Sequence, residues 1–239
     1  MSVSAATLVG IRLILLRLRG GNASAAAANM RVIILDGLIG AGKSCLLKNI
    51  QPYLTPEVKV IMEPVDRFQS FDRYNPLDEM YENPMMNSGF GQLHIIQEQA
   101  LYYKEQLREE KPAILLTERS IYSPVIFTKT LRSAGFLSEF VEAVLLKHSH
   151  QKILEIFPDK PLAADKMFWV DTPISVCLSH IAQRGREGES AITESYLSKL
   201  STLYGEYIDL MLEQKKPVRS VAFDDPTLQR QLLDFIYTP

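Results

Sequence analysis

The sequence predicts an α/β protein: a parallel sheet with helices on both faces. Three observations predict it. Short apolar, often β-branched runs recur along the chain and alternate with longer helical stretches, as strands buried on both faces do. The first run, Arg31-Val-Ile-Ile-Leu35-Asp36, passes through a glycine-rich turn into a helix. The later runs end in charged residues, which places chemistry at the carboxyl ends of the strands, where open α/β sheets bind ligands.

The turn after the first strand reads Gly37-Leu38-Ile39-Gly40-Ala41-Gly42-Lys43-Ser44 and fits the phosphate-loop pattern G-x-x-x-x-G-K-[ST]. Glycines let the backbone curl until successive N–H groups point inward at phosphate oxygens, and the helix that follows presents its positive end to the same anion. Lys43 is expected to reach the outer phosphates and the Ser44 hydroxyl to ligate Mg²⁺, so a nucleoside triphosphate binds here.

Val58–Met62 reads as a short buried second strand ending at Glu63-Pro64-Val65. Residues 66–88, punctuated by Asn75, Pro76, Asn83, Pro84 and Asn87, read as a long loop with broken helix, a length at which loops are usually functional. A helix over 92–110 buries Leu93, Ile96, Ala100, Tyr103 and Leu107 on one face. Ala113–Thr117 is the third strand, ending at Glu118-Arg119-Ser120, and helices follow near 120–132 and 138–157. Met167–Asp171 is the fourth strand, after which Thr172 and Pro173 supply a cap and a first-position proline. Arg184-Gly185-Arg186 interrupts that helix, Thr193 caps another reaching about Gln214, Val218–Ala222 is the last strand, and Asp225-Pro226 opens the final helix.

The chain's 239 residues suit one domain, and a net charge of −2 gives no footprint for nucleic acid. No apolar stretch reaches the length of a membrane span. Cys45 and Cys177 form no spaced framework, consistent with a reducing compartment. Residues 1–29 differ in kind: Arg12, Arg17 and Arg19 occur without an acid, followed by an alanine-rich stretch. That composition fits either a mitochondrial transit peptide or a disordered extension with Met30 as a second start. The expected division is therefore an extension over 1–29 and a catalytic domain over 30–239, located in the cytoplasm, or in mitochondria if the extension targets it there.

At the strand ends, a carboxylate such as Glu63 facing a triphosphate can act as general base towards an acceptor hydroxyl. A second, Glu118, can hold Mg²⁺, and Arg119 can neutralise charge on a transferred phosphoryl group. A single Glu-Arg pair at a strand end is commonly a surface ion pair, but three charged ends around one phosphate loop point to phosphoryl transfer. Arg184-Gly185-Arg186-Glu187-Gly188-Glu189 fits either a hinged lid that excludes water or a solvated charge cluster. His148 and His150 share no helix face and suggest no metal site, and Trp169 reads as a core residue.

With these motifs in order, the sequence resembles the deoxyribonucleoside kinase family, which contains deoxycytidine, deoxyguanosine and mitochondrial thymidine kinases. The resemblance runs from about Arg31 to the final helix through the phosphate loop, Glu63-Pro-Val, Tyr81-x-x-Pro84, Phe90-x-Gln92, Glu118-Arg-Ser-Ile-Tyr-Ser123, the lid and Tyr196-Leu197. It implies a P-loop kinase fold with five parallel strands and an arginine lid, use of ATP and Mg²⁺, a small deoxynucleoside substrate and a homodimer. By similarity Glu63 is the general base for the 5′-hydroxyl, with Arg119 steadying the oxygen and the incoming phosphate. Glu118 faces Mg²⁺, Tyr81 and Glu189 hold the sugar 3′-hydroxyl, Gln92 reads the base edge, and Arg184 and Arg186 are the lid arginines.

Several positions depart from the family pattern. Phe68 replaces a tryptophan, Gln99 an arginine, Pro124 an aspartate, His180 an arginine and Gly188 an acid. The loss of charge at 99 and 124 points to thymidine or a broad pyrimidine range, with deoxycytidine or broad specificity the alternative. Two further readings are a catalytically inactive accessory subunit of a respiratory complex, which resembles the same family, and a regulatory GTPase. The retained Lys43, Ser44, Glu63 and Arg119 argue against the first, and the missing N-K-x-D motif against the second.

Overall fold

A computed structural model describes residues 30–109, 112–186 and 188–238, so the expectations for 1–29 lie outside the described residues. Five strands form one sheet: β1 (Arg31–Asp36), β2 (Val58–Ile61), β3 (Ile114–Glu118), β4 (Lys166–Asp171) and β5 (Val218–Ala222). Every pairing is parallel and the order is β2-β3-β1-β4-β5, which makes β1 the central strand. Alternate residues of β1 face opposite layers. Val32 and Ile34 pack with Leu115, Met167 and Trp169 on one side, while Ile33 and Leu35 pack with Leu116, Phe168 and Val170 on the other. That two-sided burial is why the central strands read as unbroken apolar runs.

The helices are α1 (Lys43–Ile50), α2 (Val65–Phe68), α3 (Pro76–Glu82), α4 (Pro84–Gln106), α5 (Ser123–Ser133), α6 (Glu139–Ile156), α7 (Ile174–Arg184), α8 (Glu194–Glu213) and α9 (Leu228–Tyr237). Helix α6 opens under a Ser138 cap and α8 under Thr193, whose hydroxyl accepts from the Tyr196 N–H. No helix among the described residues is long and apolar enough to cross a membrane.

Three expectations need correction. The stretch 66–88 is largely helical rather than a long loop: Asn75 Oδ1 accepts from the N–H groups of Leu77 and Asp78, Pro76 takes the first turn of α3, and Pro84 starts α4 eight residues ahead of Gln92. The punctuating residues are therefore helix starts. Strand β2 is a half-exposed edge in which only Ile61 is buried. Thr172 does not cap α7; its hydroxyl donates to the Ala41 carbonyl and ties β4 to the phosphate loop.

Candidate active site

The carboxyl ends of β1, β2 and β3 open into one cleft of about 1400 Å³. Its floor is the Gly37–Ser44 turn. Gly40 and Gly42 hold φ near 82° and 90°, a left-handed backbone, and a Cβ on Gly40 would come within 2.4 Å of the Cys177 carbonyl oxygen. Helix α1 starts with no side-chain cap and no acid in its first turn, so its leading N–H groups remain available to an anion. Lys43 is buried and its Nζ donates to the carbonyls of Gly37 (3.1 Å) and Leu38 (2.9 Å). Burial, with the Arg119 cation second, pushes the Lys43 ammonium down to about 8.

Glu63, Glu118 and Arg119 meet here. The Ser44 hydroxyl donates to Glu118 Oε1 at 2.5 Å, pairing two hard oxygens at the foot of the loop. Among the described residues no group of three or more His, Cys, Asp or Glu side chains could hold a metal by itself. A cation at Ser44 and Glu118 would therefore need further oxygens from water or phosphate, the usual arrangement for Mg²⁺. Arg119 Nε donates to Glu63 Oε2 at 3.0 Å. Its Nη1 is surrounded by Asp36 Oδ1 (3.2 Å), the Gly37 carbonyl (3.2 Å) and the Tyr204 hydroxyl (2.7 Å).

Two of these residues are absent from the sequence-based set. Asp36 ends β1 and is completely buried; burial raises its carboxyl, while Arg119 and Lys43 pull it back towards ionisation. An acid closing an apolar strand just before the glycine turn was a signal for it. Tyr204 lies on the buried face of α8 and carried no such signal.

Further along the cleft, the Gln92 amide nitrogen donates to the Pro124 carbonyl and that of Gln99 to the Ser120 carbonyl, both at 3.1 Å. Since a carbonyl only accepts, each amide is fixed with its nitrogen on the protein. Phe68 is buried in the cleft wall. His180 makes a 2.8 Å contact through Nδ1 with the Gly40 carbonyl, so that nitrogen carries the proton and the ring belongs to the loop's support.

At the rim, Arg184 reaches Glu189 with two 2.6 Å bonds, and Arg186 Nη1 lies 3.7 Å from the same carboxylate. Burial, with the Glu189 charge next, pushes the Tyr81 phenol up, so it remains a hydrogen-bond donor at neutral pH. Gly188 has φ near 76°, and a Cβ there would lie 2.7 Å from Asp78 Oδ1 and 2.8 Å from Tyr81 Cδ2. This segment approaches α3 so closely only because position 188 has no side chain. Glu63, Tyr81, Gln92, Glu118, Arg119, Arg184, Arg186 and Glu189 all line this one cleft, with the Gly37–Ser44 turn as its floor.

The chain is also similar in sequence to known proteins. A family model described as deoxynucleoside kinase covers residues 33–232. Human mitochondrial thymidine kinase 2 is 28% identical over 178 residues, which span 74% of this chain and 64% of that protein. Human deoxycytidine kinase is 28% identical over 199 residues, 75% of each chain. Rat NADH dehydrogenase [ubiquinone] 1 alpha subcomplex subunit 10, mitochondrial, is 27% identical over 195 residues, 73% of this chain and 52% of that one. With the family model running from within β1 into α9, the chain belongs to the deoxynucleoside kinase family.

Proposed function

We propose that this protein transfers the terminal phosphoryl group of ATP to the 5′-hydroxyl of a deoxynucleoside, with thymidine the preferred acceptor. The observation that carries this reading is the shared cleft, in which Arg119 bonds the Glu63 carboxylate and shares the Gly37 carbonyl oxygen with the Lys43 ammonium. At about 1400 Å³ the cleft exceeds the ~300–1,000 Å³ of an ordinary single-ligand pocket, so two substrates fit end to end.

The loop from Gly37 to Ser44 cradles the triphosphate, with Lys43 on its outer phosphates and Arg184 and Arg186 closing over it. The Ser44–Glu118 oxygens suit Mg²⁺, which when bound neutralises phosphate charge. Glu63 takes the proton of the 5′-hydroxyl as that oxygen attacks, and Arg119 stabilises charge on the transferring group. Tyr81 and Glu189 hold the 3′-hydroxyl. Gln92, with its nitrogen on Pro124, offers its remaining N–H and its carbonyl to the base edge.

Thymidine is favoured by the uncharged residues at 99 and 124, and thymidine kinase 2 is among the similar proteins. Deoxycytidine, supported at equal identity by deoxycytidine kinase, is the alternative. A second reading, an accessory subunit without catalysis, draws on the similarity to the NADH dehydrogenase subunit. The assembled Lys43–Glu63–Arg119 group weighs against it, since burying charges such as Lys43 and Arg119 is a costly way to stabilise a scaffold.

We also propose a homodimer. Phe90 on α4 and Phe140 on α6 stand exposed beside the close approach of Gly89 to Val141, and this apolar face suits a second copy. A cytoplasmic location is proposed, or a mitochondrial one if residues 1–29 target it there; a reporter fused behind that segment decides. The test of function is a panel of deoxynucleosides with Mg·ATP, in which thymidine gives the highest kcat/KM. Turnover of none of them removes the kinase reading, and a higher value for deoxycytidine reassigns the substrate.

A further inference from the structure

We propose that Tyr204 is a positioning residue: its hydroxyl sets the orientation of Arg119 and thereby the contact of Arg119 with Glu63. The consequence for catalysis rests on the kinase reading above; the geometry does not. A guanidinium is a rigid planar fork, so fixing one end of it fixes where the rest points. Here the Nη1 end is held in the interior by Tyr204 at 2.7 Å, with Asp36 and the Gly37 carbonyl each at 3.2 Å, and the Nε edge is left facing Glu63 at 3.0 Å. The phenol makes the shortest of the three Nη1 contacts.

The backbone at Arg119 gives the side chain no slack. Its φ is near 59°, a left-handed value that side-chain-bearing residues rarely adopt. It is held there by an N–H bond to the Leu35 carbonyl (2.9 Å) and by a bond from the Thr117 hydroxyl to the Arg119 carbonyl (2.6 Å). With both ends determined, the guanidinium direction follows from what surrounds Nη1.

A phenol suits this position better than a second carboxylate. Burial holds the Tyr204 proton in place, so the group accepts from Arg119 without adding charge. The ring itself packs against Trp169, centroids 5.0 Å apart, a contact phenylalanine would keep. The hydroxyl is therefore separable from the packing. It is also carried by α8, whose first turn holds Tyr196 in the cleft wall, so one rigid helix bears both a wall of the site and the stop for its arginine.

The experiment compares wild type, Tyr204→Phe and, as a packing control, Trp169→Phe, by steady-state kinetics, thermal unfolding and a crystal structure of the Tyr204→Phe protein. Expected for Tyr204→Phe is a kcat lowered roughly ten-fold, with KM for ATP and for the nucleoside within about two-fold of wild type, as loss of an interaction felt in the transition state gives. Its unfolding midpoint falls by a few degrees at most, as the loss of one buried hydrogen bond gives, and the emission of Trp169, the chain's single tryptophan, stays as in wild type. In its crystal structure Arg119 Nε leaves Glu63. Trp169→Phe disturbs the same packing and keeps kcat. Wild-type kcat in Tyr204→Phe, a loss confined to KM, a matching loss in Trp169→Phe, or failure of Tyr204→Phe to fold each overturns the inference. If wild type phosphorylates no deoxynucleoside, the kinase reading falls instead; the crystal structure then decides, and an unmoved Arg119 overturns the positioning role.

Discussion

The centre of the site and its rim are built from the same residue types under opposite physical conditions. At the centre Asp36, Lys43 and Arg119 are 0%, 5% and 3% exposed, and their contacts are to the sheet ends, the loop and, through Arg119, to Tyr204 of α8 and the Phe127 ring of α5. At the rim the side chains of Arg184 and Arg186 are 33% and 42% exposed and share one carboxylate, Glu189. Charge at the centre interacts strongly and is costly to bury, so it survives only where each member is paired. Charge at the rim is screened and easily rearranged. The difference suits a division of labour in which the centre stays fixed and the rim opens and closes.

The sharpest way to break that comparison is at Glu63. Glu63→Gln keeps the shape and an acceptor for Arg119 but cannot take a proton. Turnover is expected to fall by about 10²–10⁴-fold while nucleotide affinity is retained. Single-turnover kinetics beside a nucleotide titration separate the two, and full activity would remove Glu63 as the base.

Next in size is Arg119→Ala. It leaves Asp36 buried opposite a vacant space, with Lys43 the remaining cation acting on it. A loss of stability of about 3–5 kcal/mol follows from uncovering one member of a buried pair. Denaturant unfolding measures it; a loss under about 1 kcal/mol, the size of an exposed ion pair, would show that the centre is no more demanding than the rim.

A third test uses the backbone. Gly40→Ala forces a Cβ to within 2.4 Å of the Cys177 carbonyl oxygen at a positive φ. Left-handed strain alone costs roughly 1–3 kcal/mol. The loop must shift, so ATP affinity should drop more than thermal stability does. Unchanged ATP affinity would mean that the cradle tolerates displacement.

The sheet, the phosphate loop and the charged strand ends were legible because each is signalled by neighbours in sequence: an apolar run, a glycine spacing, an acid at a boundary. The stretch 66–88 misled because Asn and Pro punctuate loops and also start helices. Only the bonds from Asn75 to the next turn distinguish the two, and such bonds require the helix to exist already. Tyr204 was illegible for another reason. On α8 it follows the same apolar spacing as Leu197 and Leu200, and its partner lies 85 residues away in sequence. Asp36 meets the same guanidinium across 83 residues. What places them together is the strand order, with β3 beside β1 and α8 laid across that face, and no local pattern encodes this.

The smallest effect belongs at the rim. Arg184→Ala removes both 2.6 Å bonds to Glu189, yet Arg186 remains within 3.7 Å of that carboxylate and solvent reaches the vacated space. Arg184 is a third exposed, which screens the pair, but the two-pronged geometry and a carboxylate only 12% exposed put it at the top of the surface range, about 1 kcal/mol. The unfolding midpoint should therefore fall by about 2–4 °C at most. If Arg184 reaches the triphosphate on closure, KM for ATP rises several-fold, by an order-of-magnitude estimate for one screened charge contact of about 1 kcal/mol. The nucleoside KM should rise less, because Glu189 keeps a cationic neighbour and Tyr81 is untouched. A variant with unchanged ATP kinetics would make the Arg184–Glu189 pair a fixed strut of the rim. A large fall in stability would place it with the buried centre, and the contrast between the two regions would then be one of position alone.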